Sequence, residues 1–313
     1  MEKRILKLIC AAGNENAQEV ERLCFVYSKA GFNMVDVCAK AEIIRAAANG
    51  IKRAGKENLV DICVSVGLQE DIHLMKAMVN KQKCIMCEKC ISVCQQQALF
   101  IEDNKVLVDD KKCIGCSKCM DSCSENAILR VHKYKAPYTM LLPLLSEKID
   151  CVEFHCSSSD ENLILDSWNK IKSVFTGQLS ICVDRSKLGD DKLIPLIKKM
   201  TEGHENIIVQ ADGKPMTGGS DDYKSNLQTV AFAELIRNSK LPVKLILSGG
   251  TNSKAAEFAK MCNVTIDGVA LGSYARGLVK EYICAENFYE NPVLIGNAIQ
   301  RAKKLAESLT LYL

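Results

Sequence analysis

Eight cysteines fall into two copies of one pattern, Cys84-x2-Cys87-x2-Cys90-x3-Cys94 and Cys113-x2-Cys116-x2-Cys119-x3-Cys123. A cubane iron–sulfur cluster needs four thiolates converging on one small object. Cysteines three apart on a tight loop supply three of them, and where two such runs occur the fourth comes from the other copy. The expected ligation is therefore crossed. Cys84, Cys87 and Cys90 with Cys123 would hold one [4Fe-4S] cluster, and Cys113, Cys116 and Cys119 with Cys94 the other.

The residues around the cysteines repeat as well. Lys83-Cys84-Ile85, Cys87, Lys89-Cys90 and Ala98 match Lys112-Cys113-Ile114, Cys116, Lys118-Cys119 and Ala127 at an offset of 29. Such a duplication with ligands in register predicts a bacterial, ferredoxin-type module with two clusters. The competing reading is a pair of zinc sites, since C-x2-C pairs also bind zinc, but zinc ribbons space their pairs further apart and do not need runs of four. Gln95 and Ser124 follow the fourth cysteines, where bacterial ferredoxins usually carry proline. That departure touches the local turn and the reduction potential rather than the ligation.

The chain has 313 residues, enough for two domains or for one large domain with an insertion. Its 41 basic and 38 acidic residues leave a net charge of +3 and no basic tract, and it holds a single Trp, which together argue against a nucleic-acid partner. Cysteines number seventeen, but a chain of this size builds its own core without disulfides, and cluster ligands require reduced thiols; a cytoplasmic protein is expected. The nine others (Cys10, Cys24, Cys38, Cys63, Cys151, Cys156, Cys182, Cys262 and Cys284) mostly lie in apolar stretches, where Cys acts as a small hydrophobe. Cys38, Cys63 and Cys182 in particular are expected to be structural, because no His or Cys stands near them at a metal-ligand spacing. The apolar start of the chain is broken by Lys7 and reads as a first strand rather than a signal peptide, and no stretch is long enough for a membrane span.

Outside the cysteine block, short apolar strands alternate with amphipathic helices. Strands are predicted at 5–11, 34–39, 59–66, 149–156, 179–184, 206–212, 243–248 and 268–272, and helices at 16–30, 41–54, 136–148, 160–176, 190–200, 222–239, 253–262 and 288–308. Strand then helix, eight times, predicts a (β/α)8 barrel, with a doubly wound open sheet as the alternative because counting cannot prove closure. The division expected is barrel over 1–77, inserted ferredoxin-like module over 78–131, and barrel again over 132–313. Since the insertion follows the third strand, it projects from the carboxyl face, where the active sites of such barrels lie.

One alternate set of strand residues is apolar and suits the surrounding helices. The inward set is unusually polar: Lys7, Asp36, Asp61, Ser65, Glu153, His155, Ser180, Asp184, Gln210, Asp212, Lys244 and Ser248. Buried charges must pair, so Lys7 and Lys244 are expected to neutralise some of Asp36, Asp61 and Glu153, with Lys244 and Asp61 in a salt-bridge network at the barrel floor. His155, Asp184 and Asp212, near strand ends at the mouth, are the catalytic candidates, His155 first because it titrates near neutrality.

Ser248-Gly249-Gly250-Thr251-Asn252 follows the seventh strand and Gly272-Ser273-Tyr274-Ala275-Arg276 the eighth. In many barrels these two loops make a phosphate site from glycine amides and a helix N-terminus, so Gly249, Gly250, Gly272, Ser273 and Arg276 are the candidates for a small phosphate-bearing ligand such as FMN. The simpler reading is glycine pairs used for turning.

The cysteine block, Lys7-Leu8-Ile9-Cys10, the 210–216 run Gln-Ala-Asp-Gly-Lys-Pro-Met and the two glycine motifs together resemble the light-dependent period (LdpA) family of cyanobacteria over most of the chain. That resemblance implies iron–sulfur clusters and a role in relaying redox state to a circadian clock. Electron transfer or redox sensing, with a redox partner protein or a quinone or ferredoxin pool as partner, is the expected function. A flavin- or phosphate-dependent oxidoreductase using the clusters as an internal relay is the alternative.

Overall fold

The computed structural model describes residues 4–11, 13–68, 71, 74–132, 135–185, 187–204, 206–213 and 220–313. Its strands are β1 Ile5–Ile9, β2 Met34–Cys38, β3 Asp61–Gly67, β4 Met75–Val79, β5 Leu99–Glu102, β6 Lys105–Val108, β7 Ile128–His132, β8 Cys151–His155, β9 Gln178–Asp184, β10 Ile208–Asp212, β11 Lys244–Ser248 and β12 Gly268–Leu271. Eight of these, β1, β2, β3 and β8 to β12, pair in parallel and close into a barrel through β1–β12. The open-sheet alternative is thereby excluded.

The helices are α1 Ala17–Ala30, α2 Ala41–Arg53, α3 Lys89–Ser92, α4 Lys118–Asp121, α5 Pro137–Leu141, α6 Glu161–Val174, α7 Asp190–Thr201, α8 Leu227–Asn238, α9 Ala255–Met261, α10 Ser273–Ile283 and α11 Pro292–Thr310. Their starts follow local chemistry. Asn16, Asp160 and Asn291 accept first-turn amides of α1, α6 and α11, and Pro292 occupies a first-turn position where its missing N–H costs nothing. The outward strand residues, among them Val35, Val37, Ile62, Val64, Phe154, Ile181, Val209, Leu245 and Val269, are wholly inaccessible and pack beneath the helices. Each such side chain contributes roughly 1.5–3 kcal/mol by leaving water.

Two expectations change. The eighth barrel helix is α10, which starts directly after β12; the 273–283 stretch reads as a loop in sequence because its helical face is interrupted by Arg276 and Gly277. Helix α11 is a ninth, packing against α1 and α10. Arg22 of α1, buried, donates to the carbonyls of Ile283, Ala285 and Glu286 and so binds the end of α10 to the first helix. The helix expected over 136–148 is only Pro137–Leu141 with a following 3-10 turn at Leu142–Leu144, where Pro143 removes an amide.

Between β3 and α5 lies the inserted module, β4 to β7 with α3 and α4. Strand β4 pairs antiparallel with β7, and β5 with β6. Residues 78 and 131 fall within its outer pair, β4 and β7. The duplication is visible in the backbone. Left-handed residues recur at an offset of 29: Met86 and Gly115, Glu88 and Ser117, Gln97 and Asn126. Helices α3 and α4 correspond at the same offset.

Candidate functional site

The two loops wind through left-handed residues just before α3 and α4, a geometry that turns successive amides inward and suits iron–sulfur sites. One small cavity is lined by Cys113, Cys116, Cys119 and Cys94, together with Ala77, Ala98 and Ile114. The other is lined by Cys84, Cys87, Cys90 and Cys123, with Val79, Val106 and Ala127. Each run thus contributes three cysteines to one cavity and its fourth to the other. Backbone amides point at the sulfurs: Ala77 donates to Cys113 Sγ, Ala98 to Cys94 Sγ and Ala127 to Cys123 Sγ, all at 3.3 Å. Burial pushes the Cys119 thiol up to about 12 and Cys90 in the same direction. An iron ion in the cavity would take those protons' place. The donor set, the apolar walls and the N–H···S bonds all fit [4Fe-4S] clusters.

The module is fastened to the barrel's mouth by Lys76 of β4. Its buried Nζ donates to Gly13 O at 2.5 Å, Cys113 O at 2.7 Å and Asp110 O at 2.8 Å, and lies 3.4 Å from Glu15 Oε1. The Glu15 amide donates back to Lys111 O at 2.8 Å. The cavity of Cys113, Cys116, Cys119 and Cys94 is therefore the one beside the barrel. At the other cavity Cys87 is exposed and the neighbouring Ile85 is 62% exposed. Lys76 was not singled out in the sequence, where a lysine in an apolar strand carries no mark of its carbonyl partners.

Inside the barrel, Met34, Cys63, Cys151, Ile208, Ile246 and Ala270 form an apolar layer, with Met34, Cys151 and Ile208 the first residues of their strands. Towards the mouth the interior is polar. Glu153 Oε2 accepts from Lys7 Nζ at 2.5 Å, from Ser180 Oγ at 2.9 Å and from Gln210 Nε2. Lys7 also lies 3.7 Å from Asp36, which accepts from Ser65 Oγ at 2.6 Å. His155 stands between two carboxylates, with Nδ1 2.8 Å from Asp71 Oδ2 and Nε2 3.2 Å from Glu153 Oε1. Burial works to raise the Glu153 carboxyl, but Lys7 and then His155 overcome it and hold it well below the usual range. Burial likewise works to lower His155, and Asp71 and Glu153 raise it well above its ordinary value. At Asp36 burial prevails over Lys7 and Ser65 and pushes the carboxyl up to about 6.

The expected floor network of Lys244 and Asp61 does not form part of this interior. Asp61 is exposed and Lys244 half-buried, because each lies two residues before its strand's member of the apolar layer, Cys63 and Ile246, and so sits beyond that layer at the rim. Among the catalytic candidates, His155 and Asp212 are buried in the polar region, with Asp212 Oδ2 3.6 Å from Cys182 Sγ. Asp184 ends β9 in register with Asp212, and its side chain lies outside the described residues. Asp71, missed in sequence, reaches His155 because Gly67 leaves room: a Cβ there would lie 2.2 Å from Asp71 Oδ2. Cys182 does have a ligand-type neighbour, His155, in register on the adjacent strand; linear spacing misses partners that only barrel pairing supplies. Cys262 and Cys284 are exposed, not small hydrophobes in a core.

At the glycine loops, Gly249 and Gly250 are both left-handed, and a Cβ on Gly249 would lie 1.7 Å from Asp212 Oδ1. Thr251 Oγ1 donates to Ala270 O, and Asn252 Nδ2 donates to Ser220 O, Asp222 O and Ser225 Oγ, so the polar side chains of this loop tie it to β12 and to the 220–225 segment. Gly272 and Ser273 open α10 directly after β12. Arg276 is buried, donates to Ile9 O at 2.8 Å and reaches Ser273 Oγ at 3.4 Å. Lys214, Pro215 and Met216 of the 210–216 run lie outside the described residues.

The sequence of the Light dependent period A C-terminal domain matches residues 143–308, and that of a 4Fe-4S binding domain matches residues 106–129, the second cysteine run. Light dependent period A of Synechococcus elongatus is 25% identical over 296 residues, spanning 88% of this chain and 81% of that one. Solved structures of similar shape include the YdjI aldolase of Escherichia coli, 8% identical with a TM-score of 0.49 over 99% of this chain and 91% of that one. Another is the chloride-inhibited dihydrodipicolinate synthase of Acinetobacter baumannii, 9% identical with a TM-score of 0.44 over 99% and 82%. With more than half its length matched by that family's own domain and a 4Fe-4S binding run set into its barrel, the chain belongs to the light-dependent period A family and is an iron–sulfur protein.

Proposed function

We propose that the chain binds two [4Fe-4S] clusters and acts in electron transfer or redox sensing. The observation that carries this is the pair of cysteine-lined cavities, each with four thiols drawn from both runs. Cys84, Cys87, Cys90 and Cys123 would ligate the outer cluster, and Cys113, Cys116, Cys119 and Cys94 the one beside the barrel. Each cluster, when bound, takes up and returns one electron. Electrons would enter at the outer site, where Cys87 is exposed, and reach the barrel's mouth through the inner one. The amides of Ala77, Ala98 and Ala127 stabilise charge on the sulfurs and so tune the potentials. A redox partner protein, or a quinone or ferredoxin pool, is the partner this arrangement calls for. All seventeen cysteines are unpaired in disulfides, which suits a reducing cytoplasm. No helix of the described residues is long and apolar enough to cross a membrane.

Anaerobic purification of the full chain followed by iron and sulfide analysis tests the reading. About eight of each per chain are expected, since two cubanes carry four apiece. A redox titration followed by electron paramagnetic resonance should reveal two reducible centres. Four iron per chain, or clusters that no reductant reaches within roughly −700 to +450 mV, would overturn it.

The flavin or phosphate reading, with FMN as ligand, is favoured by one observation: α10 begins at Ser273 directly after β12, aiming first-turn amides at the mouth. The guanidinium expected to clamp the phosphate, Arg276, already serves Ile9 O. Acid release of organic cofactor from the same preparation separates the two readings.

A further inference from the structure

We propose that the barrel holds a divalent cation of the zinc class, ligated by Glu153, His155 and Cys182. The one carboxylate oxygen, one imidazole nitrogen and one sulfur they offer lie within 4.8 Å of one another, and all three residues are buried. The strands dictate this convergence. Glu153 and His155 are two apart on β8 and so share its inner face, and Cys182 is the residue of β9 paired with His155.

The surroundings are those of a metal site rather than of a chance cluster. Asp71 Oδ2 sits 2.8 Å from His155 Nδ1, which fixes the ring and leaves Nε2 facing Glu153 Oε1 at 3.2 Å. A carboxylate behind a ligating histidine is the usual way in which proteins orient such a ligand. Glu153 is oriented in the same fashion. Its Oε2 is held by Lys7, Ser180 and Gln210, which leaves Oε1 facing His155. Oxygen, nitrogen and thiolate sulfur together suit zinc and disfavour magnesium or calcium, which take oxygen alone.

Thiolate and imidazole bind a metal only without the proton on the ligating atom, so each proton given up by Cys182 Sγ or His155 Nε2 offsets one charge of the incoming dication. Lys7 remains beside Asp36 and Glu153. Three protein ligands leave a coordination position for water or a small molecule. The site lies in the barrel and shares no residue with either cysteine-lined cavity of the module.

The test uses the full chain, purified anaerobically with its clusters intact and dialysed with one equivalent of zinc sulfate. Zinc, iron and sulfide are counted on the same sample. One tightly held zinc per chain is expected, with a zinc-edge X-ray absorption spectrum showing a single sulfur and otherwise nitrogen or oxygen neighbours. His155→Gln and Cys182→Ser should lose that zinc while iron and sulfide stay constant. Asp71→Asn, which removes no ligand, should weaken zinc binding about 10–100-fold and guards against a variant that fails to fold. Absence of bound zinc, zinc with four sulfur neighbours lodged in the module, or zinc retained equally by the variants would overturn the site. A shortfall in iron with zinc in place would instead count against the two-cluster reading.

Discussion

Lys7 Nζ lies 2.5 Å from Glu153 Oε2 at the centre of the barrel, and neither side chain reaches solvent. The pair is held within a hydrogen-bonded set, Ser180 and Gln210 on Glu153 and Ser65 on Asp36, which is what keeps buried charge tolerable. Breaking one side is therefore costly. Lys7→Met, leaving two buried carboxylates without their cation, should cost about 3–5 kcal/mol, read as a lower midpoint in urea. Lys7→Met combined with Glu153→Gln should recover part of that loss; additive losses would mean that the two residues do not act as a pair.

Asp36 gives the interior a pH dependence of known sign. Its carboxyl is raised from an ordinary 3.8 to about 6, chiefly by burial. Between those values the unfolded chain releases the proton first, so stability falls as pH rises from 3.8 to about 6 and levels off above. Two pKa units correspond to on the order of 3 kcal/mol. Asp36→Asn cannot titrate, so the wild-type curve minus the variant curve should contain this fall. A difference curve flat across that window would rule out the raised carboxyl.

Much of this architecture is legible in sequence because it is written in short periods. The inward set of Lys7, Asp36, Ser65, Glu153, His155, Ser180 and Gln210 follows from alternation along strands, and all of them are buried in the barrel. The cysteine runs carry their own spacing. What sequence cannot carry is pairing between strands. His155 and Cys182 are 27 positions apart in the chain yet adjacent in the barrel, and Asp71 meets His155 only because the chain turns back after Gly67. Lys244 and Asp61 share the alternation of the inward set but lie one step beyond the apolar layer of Ile246 and Cys63, where the barrel no longer encloses them. Alternation gives a residue's face and not its depth.

Thiol reactivity should separate the cysteines by burial. Burial pushes Cys38 up to about 12, and its Sγ donates to Asn14 O at 3.2 Å. It should resist iodoacetamide at pH 8 in the folded, cluster-loaded chain, whereas the exposed Cys262 and Cys284 react. Peptide mapping after alkylation reads this directly, and early modification of Cys38 would contradict its packing.

The amide of Ala77 offers a handle on one cluster alone. It donates to Cys113 Sγ from β4, so Ala77→Pro removes the donor without touching a ligand. Without that hydrogen bond the extra electron of the reduced cluster is less well stabilised. The potential of the centre beside the barrel should therefore become more negative while the outer centre holds its value. Equal shifts at both would mean that the substitution disturbs the whole module.

Crossed ligation makes a prediction that paired substitutions decide. Cys94 belongs to the first run but lines the cavity of Cys113, Cys116 and Cys119, and Cys123 of the second run lines that of Cys84, Cys87 and Cys90. A cubane that loses a thiolate is expected to be lost or degraded. Cys94→Ala should bring iron from about eight to about four per chain. Adding Cys113→Ala should remove nothing more, because both cysteines would serve the same cluster. Adding Cys84→Ala instead should remove the remaining iron, because Cys84 would serve the other. Uncrossed runs predict the reverse: Cys94 with Cys84 would spare one cluster, and Cys94 with Cys113 would spare none. The anaerobic iron counts of these two double variants, made in the full chain with the barrel's melting temperature as a folding control, distinguish the arrangements whichever cluster proves the more fragile.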